Sequence, residues 1–441
     1  VLGGDSAAES SERDWDRRVS TEQGGGVMQV LSGRAAERAL TKLENRAARL
    51  EEVEPAVRAI VQAVRREGDK ALRRYAALWD GLEKGQVMRV PAEEIEQGWK
   101  TTPPETREAL KRAATNIRRF AKWQLTRSWR KKVSGGELGQ IVRPLESVGC
   151  YVPGGRYPLP STLLMTAIPA QVAGVKRIVV ASPKPQPATL AAAYLLGINE
   201  VYRCGGAQAI AALAYGTGTI PRVDKIVGPG NAYVTAAKKL VGFDCAIDML
   251  AGPTEAAIFS EGGNAEFLAA DLVAQAEHDP DAIVVFISTN ARLAGRVAEC
   301  VKSSAKNNAF ATKALKRGGY ALVAASREQV LAWVNRLAPE HLTVDEDRDL
   351  SEVRCAGSIF VGNYSPQSAG DYASGPNHVL PTAGAARFRG GLSASDFVKV
   401  ITVQKFSRAG LREIAPVITT LAETEGLRAH AQSARVRCGN A

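Results

Sequence analysis

Four histidines are all that this 441-residue chain contains: His278, His341, His378 and His430. With so few, the company each keeps indicates whether it can titrate or ligate. Gln275 and His278 stand three apart, a spacing that puts both side chains on one face of a helix, and Pro280 predicts the end of that helix. Glu340 and His341 set a carboxylate beside an imidazole at the end of a helical stretch. Asp371 and His378 share a polar, turn-rich loop, and Glu425 precedes His430 across Gly426 near the C-terminus. Histidines and acids in such segments fit metal ligation and proton transfer better than core packing. His and Asp suit zinc, Gln is a weaker oxygen donor, and no His-Glu-x-x-His is present to support zinc hydrolysis of the usual protease kind.

A second set of signals is rich in glycine. Tyr151-Val-Pro-Gly-Gly155, Cys204-Gly-Gly-Ala-Gln208 and Gly228-Pro-Gly-Asn-Ala-Tyr233 each fall at or near the end of a short β-branched run. One such turn is simply a tight turn; three at the carboxyl ends of neighbouring strands fit a cofactor crevice. None is Gly-x-Gly-x-x-Gly, so the standard dinucleotide fingerprint is missing.

The elements that must position these residues follow from periodicity. From Arg34 to about Lys132 the pattern is helical and highly charged, with breaks at Val90-Pro91 and Pro103-Pro104. Beyond Val148, strands expected at 177–181, 200–203 and 225–227 alternate with helices over 187–197 and 208–215. The same grammar recurs with strands at 256–259, 283–288, 320–324 and 358–361. Alternation of this kind predicts an α/β protein with two Rossmann-like parallel-sheet units. The expected divisions are a flexible leader over 1–30 and a helical N-terminal part over 31–147 that packs with the second α/β unit. A first α/β unit over 148–254 binds the cofactor, and a second over 255–392 carries the metal and catalytic residues. The tail over 393–441 is expected to be helical and to make a dimer contact.

Composition narrows the function classes. The net charge of +11 fits a solvated surface or anionic ligands. A run of basic and aromatic residues, Arg118 to Lys132, is the one nucleic-acid candidate. Leu110, Ala113, Ala114, Ile117 and Ala121 recur at helical spacing beside it, which favours a solvated helix face and no nucleic acid. No apolar run reaches the ~20 residues of a membrane span, and residues 1–19 resemble neither a secretory signal nor a transit peptide. Six scattered cysteines without a Cys-x-x-Cys pair read as reduced thiols of a cytoplasmic protein, packed rather than reactive.

Taken with their neighbours, these motifs resemble the histidinol dehydrogenase family from about Arg34 to His430. The likeness is densest in Tyr151-Val-Pro-Gly-Gly, Lys225-Ile-Val-Gly-Pro-Gly-Asn-Ala-Tyr, Asp248-Met-Leu-Ala-Gly-Pro-Thr-Glu, Gln275-Ala-Glu-His, Ala338-Pro-Glu-His-Leu and the stretch Gly370 to Thr382. It implies oxidation of L-histidinol to L-histidine in two NAD-dependent steps through histidinal, the last steps of histidine biosynthesis, by a zinc-containing homodimer. The family's zinc ligands fall on Gln275, His278, Asp371 and His430, and its acid/base pair on Glu340 and His341. Its substrate contacts fall on Thr254, Gln275, His278, His341, Asp371, Glu425 and His430, and its NAD contacts on Tyr151, Gln208 and Asn231. Family precedent also has the C-terminal Glu and His reaching into the neighbouring subunit's site. Thr254 stands where many members have Ser, and Leu250 where Pro is frequent. A related zinc and NAD dehydrogenase acting on another hydroxylated molecule, such as a sulfonated diol, is the alternative that the resemblance allows.

Overall fold

The structure, a computed structural model, describes residues 27–45, 50–154 and 158–439. Most of the expected leader, and Gly155 of the first glycine turn, lie outside the described residues. In chain order the first strands are β1 (Gln29–Ser32), β2 (Trp129–Val133), β3 (Gly136–Pro144), β4 (Ser147–Tyr151) and β5 (Arg177–Ala181). Next come β6 (Val201–Tyr202), β7 (Lys225–Val227), β8 (Ala246–Ile247), β9 (Glu255–Phe259) and β10 (Ile283–Ser288). The last are β11 (Gly319–Val323), β12 (His341–Val344), β13 (Ser358–Val361) and β14 (Val398–Phe406).

They assemble as two parallel sheets and one antiparallel sheet. The six-stranded sheet runs β1-β11-β10-β9-β12-β13, with every pair parallel. The five-stranded sheet runs β6-β5-β4-β7-β8, again all parallel. The strands are short apolar runs because both faces are covered: β9 is buried throughout, and β10 from its second residue on. Val284 and Phe286 face the helices Ala265–Ala276 and Ala291–Ser304, while Val285 and Ile287 face Gly33–Glu44 and Arg327–Leu337. In the smaller sheet, Val148, Cys150 and Val180 share a core with Pro160–Ala173 and Pro187–Leu195, and Val179 shares one with Gly206–Tyr215 and Ala232–Val241. The expected fold class, two Rossmann-like units without the standard glycine fingerprint, is the one observed.

Several local expectations need correction. Residues 29 and 30 are not part of a flexible leader: they begin β1, which pairs with β11 at the rim of the larger sheet. The N-terminal helices do not all pack on the second unit. Gly33–Glu44 does, but Leu50–Glu67, Ala92–Thr101 and Pro104–Trp123 bury Val57, Ile95 and Ile117 in the cores of the first. The basic stretch is helical only to Trp123, with Leu110, Ala114, Ile117 and Ala121 buried as expected; Trp129–Val133 is the exposed strand β2. Nor is the tail wholly helical. β14 lies antiparallel to β3, which pairs with β2, and two helices, Arg408–Thr424 and Arg428–Cys438, follow. Half-exposed strands with mixed apolar and charged residues lack the continuous apolar run that marks a buried parallel strand, so this sheet escapes pattern reading. Among the described residues no helix is long and apolar enough to cross a membrane.

Candidate active site

Chemistry-bearing side chains gather at the amino edge of the six-stranded sheet. The helix Arg327–Leu337 ends on Ala338 in the left-handed region, at φ 47°, and the chain turns through Pro339 and Glu340 into β12. His341 is therefore the first residue of an interior strand, opposite Ala256 of β9, and not the end of a helical stretch. Glu340 and His341 are 7% and 3% exposed, a degree of burial that ionisable groups tolerate only with partners. Glu340 Oε2 accepts the Glu255 backbone N–H at 3.0 Å and lies 3.7 Å from His341 Nδ1. His341 Nε2 is 3.2 Å from Asp371 Oδ1, and the imidazole stacks on Phe360.

Asp371 and Gln275 complete this cluster. Asp371 lies in the short helix Gln367–Tyr372 rather than in a loop, and its Oδ2 accepts Gln275 Nε2 at 3.1 Å. Gln275 occupies the last turn of Ala265–Ala276; His278 follows two residues after that helix ends, so the two do not share a helical face. Gln275 Oε1 is buried without a hydrogen-bond partner. His378 Nδ1 donates to the Asp371 backbone carbonyl at 2.8 Å, and Nε2 stands 3.5 Å from Thr162 Oγ1 of the first unit. Thr254 directly precedes β9, beside Glu255, whose Oε1 accepts the Ala383 N–H at 2.7 Å.

Burial shapes the protonation of this group. It pushes the Glu340 carboxyl up to about 7; the neighbouring carboxylates of Glu255 and Asp371 add to the rise and His341 opposes it. Burial works against a charged His341, but Glu340 and Asp371 outweigh it, and the imidazole titrates above its ordinary value. Burial also favours a neutral Asp371; the hydrogen bond with His341 and the charges of His341, His378 and His278 win, and hold it below the usual carboxylate range. Burial drives His378 down. The arrangement can hold a proton near neutrality and pass it between a carboxylate and an imidazole.

The glycine turns lie at the opposite edge of the other sheet. Tyr151 ends β4, Gly205 and Gln208 follow β6, and Asn231 follows β7, all at the carboxyl edge. Gly228 has φ +117°, and a Cβ there would come within 2.1 Å of the Tyr151 carbonyl, so only glycine fits. A buried ion pair fastens this turn: Asp248 accepts Lys238 Nζ at 2.6 Å and the Gly228 N–H at 2.7 Å. Asn231 Oδ1 caps Ala232–Val241, accepting from the Tyr233 and Val234 N–H groups. Glu425 and His430 stand apart from both edges: they are exposed, on either side of Gly426 at φ 77°, where the two tail helices meet.

Comparison with known proteins gives the family. The family model described as histidinol dehydrogenase matches residues 43–438. The histidinol dehydrogenase of Methanothermobacter thermautotrophicus is 47% identical over 391 residues, 86% of this chain and 92% of the relative. That of Methanocaldococcus jannaschii is 45% identical, covering 88% of this chain and 94% of the relative. A crystal structure of histidinol dehydrogenase from Elizabethkingia anophelis superposes with a TM-score of 0.89 at 37% identity, covering 94% of this chain and 99% of the other. The chain belongs to the histidinol dehydrogenase family. The expected activity, NAD-dependent oxidation of histidinol in histidine biosynthesis, is that family's own.

Some residues of the assembled site carry no signal in the spacing of histidinol dehydrogenase motifs. Glu255 ends the stretch Asp248-Met-Leu-Ala-Gly-Pro-Thr-Glu, yet nothing local marks it as the partner of Glu340; only the pairing of β9 with β12 does. Asp271, whose carboxyl burial pushes up to about 6, sits one helical turn before Gln275 and looks like an ordinary helix residue. His378 is visible as a histidine in a polar segment, but its bridge between the two units is not.

Proposed function

We propose that this chain oxidises L-histidinol to L-histidine, with Glu340 and His341 as the acid/base pair and Gln275, His278 and Asp371 anchoring a zinc ion that holds the substrate. The observation that supports this most directly is the buried group of Glu340, His341, Asp371 and Gln275, in which a polar oxygen, Gln275 Oε1, is left without a partner. An unpaired buried acceptor costs about 1–3 kcal/mol, and a cation beside Asp371 would remove that cost. Among the described residues no three His, Cys, Asp or Glu side chains gather as a metal-binding group. The proposed zinc set is Gln275, His278 and Asp371, with His430 of the partner subunit as the fourth ligand. Zn2+, when bound, would orient the substrate's amine and imidazole as a template, and NAD+, taken by Tyr151, Gln208 and Asn231, would accept hydride in each step.

The protein's own part is proton management. His341 donates from Nε2 to Asp371 and keeps Nδ1 without a hydrogen-bond partner, and it takes the hydroxyl proton as the first hydride leaves. The imidazolium so formed lies 3.7 Å from Glu340 Oε2, whose carboxylate stabilises it. In the second step Glu340 takes a proton from the water that adds to the aldehyde, while the His341 imidazolium returns its proton to the carbonyl oxygen. The neutral imidazole then takes a hydroxyl proton of the resulting hydrate as the second hydride leaves. Thr254, next to Glu255 and Glu340, offers a hydroxyl to the substrate.

The enzyme acts as a cytoplasmic homodimer, each tail supplying Glu425 and His430 to the other chain's site. Their exposure on a tail that also exposes Val417, Leu421 and Val436 supports this. The deciding experiment measures zinc per chain, NADH formed per histidinol consumed, and mass in solution. Two NADH per histidinol, stoichiometric zinc and a dimer are expected. Turnover of a sulfonated diol but not of histidinol would overturn the substrate, and a fully active monomer would overturn the shared site.

A further inference from the structure

The helix Gly206–Tyr215 starts at the carboxyl edge of the five-stranded sheet, where a dinucleotide fold ordinarily offers free backbone N–H groups to phosphate. Here the first two are taken. The Gly205 N–H donates to Asp80 Oδ2 at 2.9 Å, and the Gly206 N–H donates to the Tyr151 hydroxyl at 3.1 Å. Asp80 does not belong to the sheet. It is the last residue of a π-helical turn, Ala76–Asp80, closed by Gly81 at φ +69°. Single π-turns are rare and concentrate at functional positions.

The same Oδ2 also accepts Gln208 Nε2 at 3.0 Å, and Asp80 and Gln208 are 7% and 1% exposed. An ionised carboxylate only accepts hydrogen bonds, so the amide nitrogen of Gln208 must face Asp80. Gln208 Oε1 then faces Gly206, so close that a Cβ on that glycine would lie 2.8 Å from it. Burial raises the Asp80 carboxyl, while the Gly205 N–H, the Gln208 amide and the charge of Lys184 favour its ionised form. Asp80 thus places a carboxylate at the cap of this helix and leaves Gln208 with one fixed acceptor oxygen.

We infer that Asp80 is a positioning residue of the NAD site, which orients Gln208 so that this turn receives a neutral hydrogen-bond donor of the dinucleotide, such as a ribose hydroxyl, and not its pyrophosphate. The inference rests on Gln208 being an NAD contact. The full-length protein serves for the test, with NAD+ dissociation measured by fluorescence titration alongside kcat, KM for histidinol and Tm for D80A, D80N, Q208A and the D80A/Q208A double variant. D80A is expected to weaken NAD+ binding about ten- to hundredfold, with saturated kcat and KM for histidinol within about twofold of the parent. In the Q208A background D80A should add little, since both substitutions remove one unit. D80N keeps an acceptor and the shape, and should fall between the parent and D80A; it also informs if D80A folds poorly. Unchanged NAD+ affinity in D80N and D80A, with only Tm lowered, overturns the inference while leaving Gln208 as a contact. Full additivity with Q208A does the same. Unchanged NAD+ affinity in Q208A itself removes the contact and the inference together.

Discussion

The six-stranded and the five-stranded sheet are built alike, of buried parallel strands between helices, yet their polar residues gather at opposite edges. At the carboxyl edge of the smaller sheet, strands run into glycine turns and helix starts, where backbone N–H groups and caps dominate. At the amino edge of the larger sheet, helix ends converge instead. Gln275 closes one helix, Asp371 lies in the last turn of another, and Glu340 and His341 follow a third. Helix C-termini carry partial negative charge and favour cations and imidazolium, whereas N-termini favour acceptors. Each edge therefore has the field that its proposed task would use: proton and metal chemistry at one, dinucleotide recognition at the other.

Substitutions on the two sides should separate chemistry from scaffold. The largest kinetic effect is expected from H341N, which should lower kcat about 10²–10⁴-fold while zinc content and NAD+ affinity stay near the parent. Parent-like turnover would take the base role from His341. On the other side K238M should act on stability: it leaves the fully buried Asp248 carboxylate unpaired, at about 3–5 kcal/mol, read as a fall in Tm. A Tm close to that of the parent would mean that the Gly228 turn holds without this pair.

The pH dependence sharpens the same contrast. Glu340 is raised to about 7, so it is protonated, and idle as a base, below that pH. Oxidation of histidinal should rise about tenfold between pH 6 and pH 8, and E340Q should flatten that profile. The sign for stability is opposite. A carboxyl raised by burial stabilises the fold below its unfolded value near 4.5, and that contribution fades as pH climbs toward about 7. Urea unfolding of the parent and E340Q across that window compares the two directly. The smallest effect is expected at Asn231. N231A should cost about 1 kcal/mol by loss of the helix cap, and N231S should restore Tm without restoring NAD+ affinity. Equal recovery of both would reduce Asn231 to a cap.

Legibility in the chain followed the range of the forces involved. The expected strands at 177–181, 225–227 and 283–288 match β5, β7 and β10, because burial on both faces demands unbroken apolar runs, and 358–361 matches the edge strand β13 through its Ile-Phe-Val run. β12 was hidden: its first residue is polar, and His341-Leu-Thr-Val reads equally as the end of the helix before it. The tail strand β14 was hidden by exposure, and β1 by its distance in sequence from its partner β11.

Residue types and short spacings were enough to nominate Glu340, His341, Asp371 and His278, since the chemistry of a few scarce groups is written in their identity; Gln275 as a ligand needed the family resemblance. Folding decided which of them meet and at what proton affinity. Glu255 reaches Glu340 only through the pairing of β9 with β12, and Asp80 reaches Gln208 across more than a hundred residues. Burial and hydrogen-bond partnership are properties of the packed chain, and no local pattern carries them.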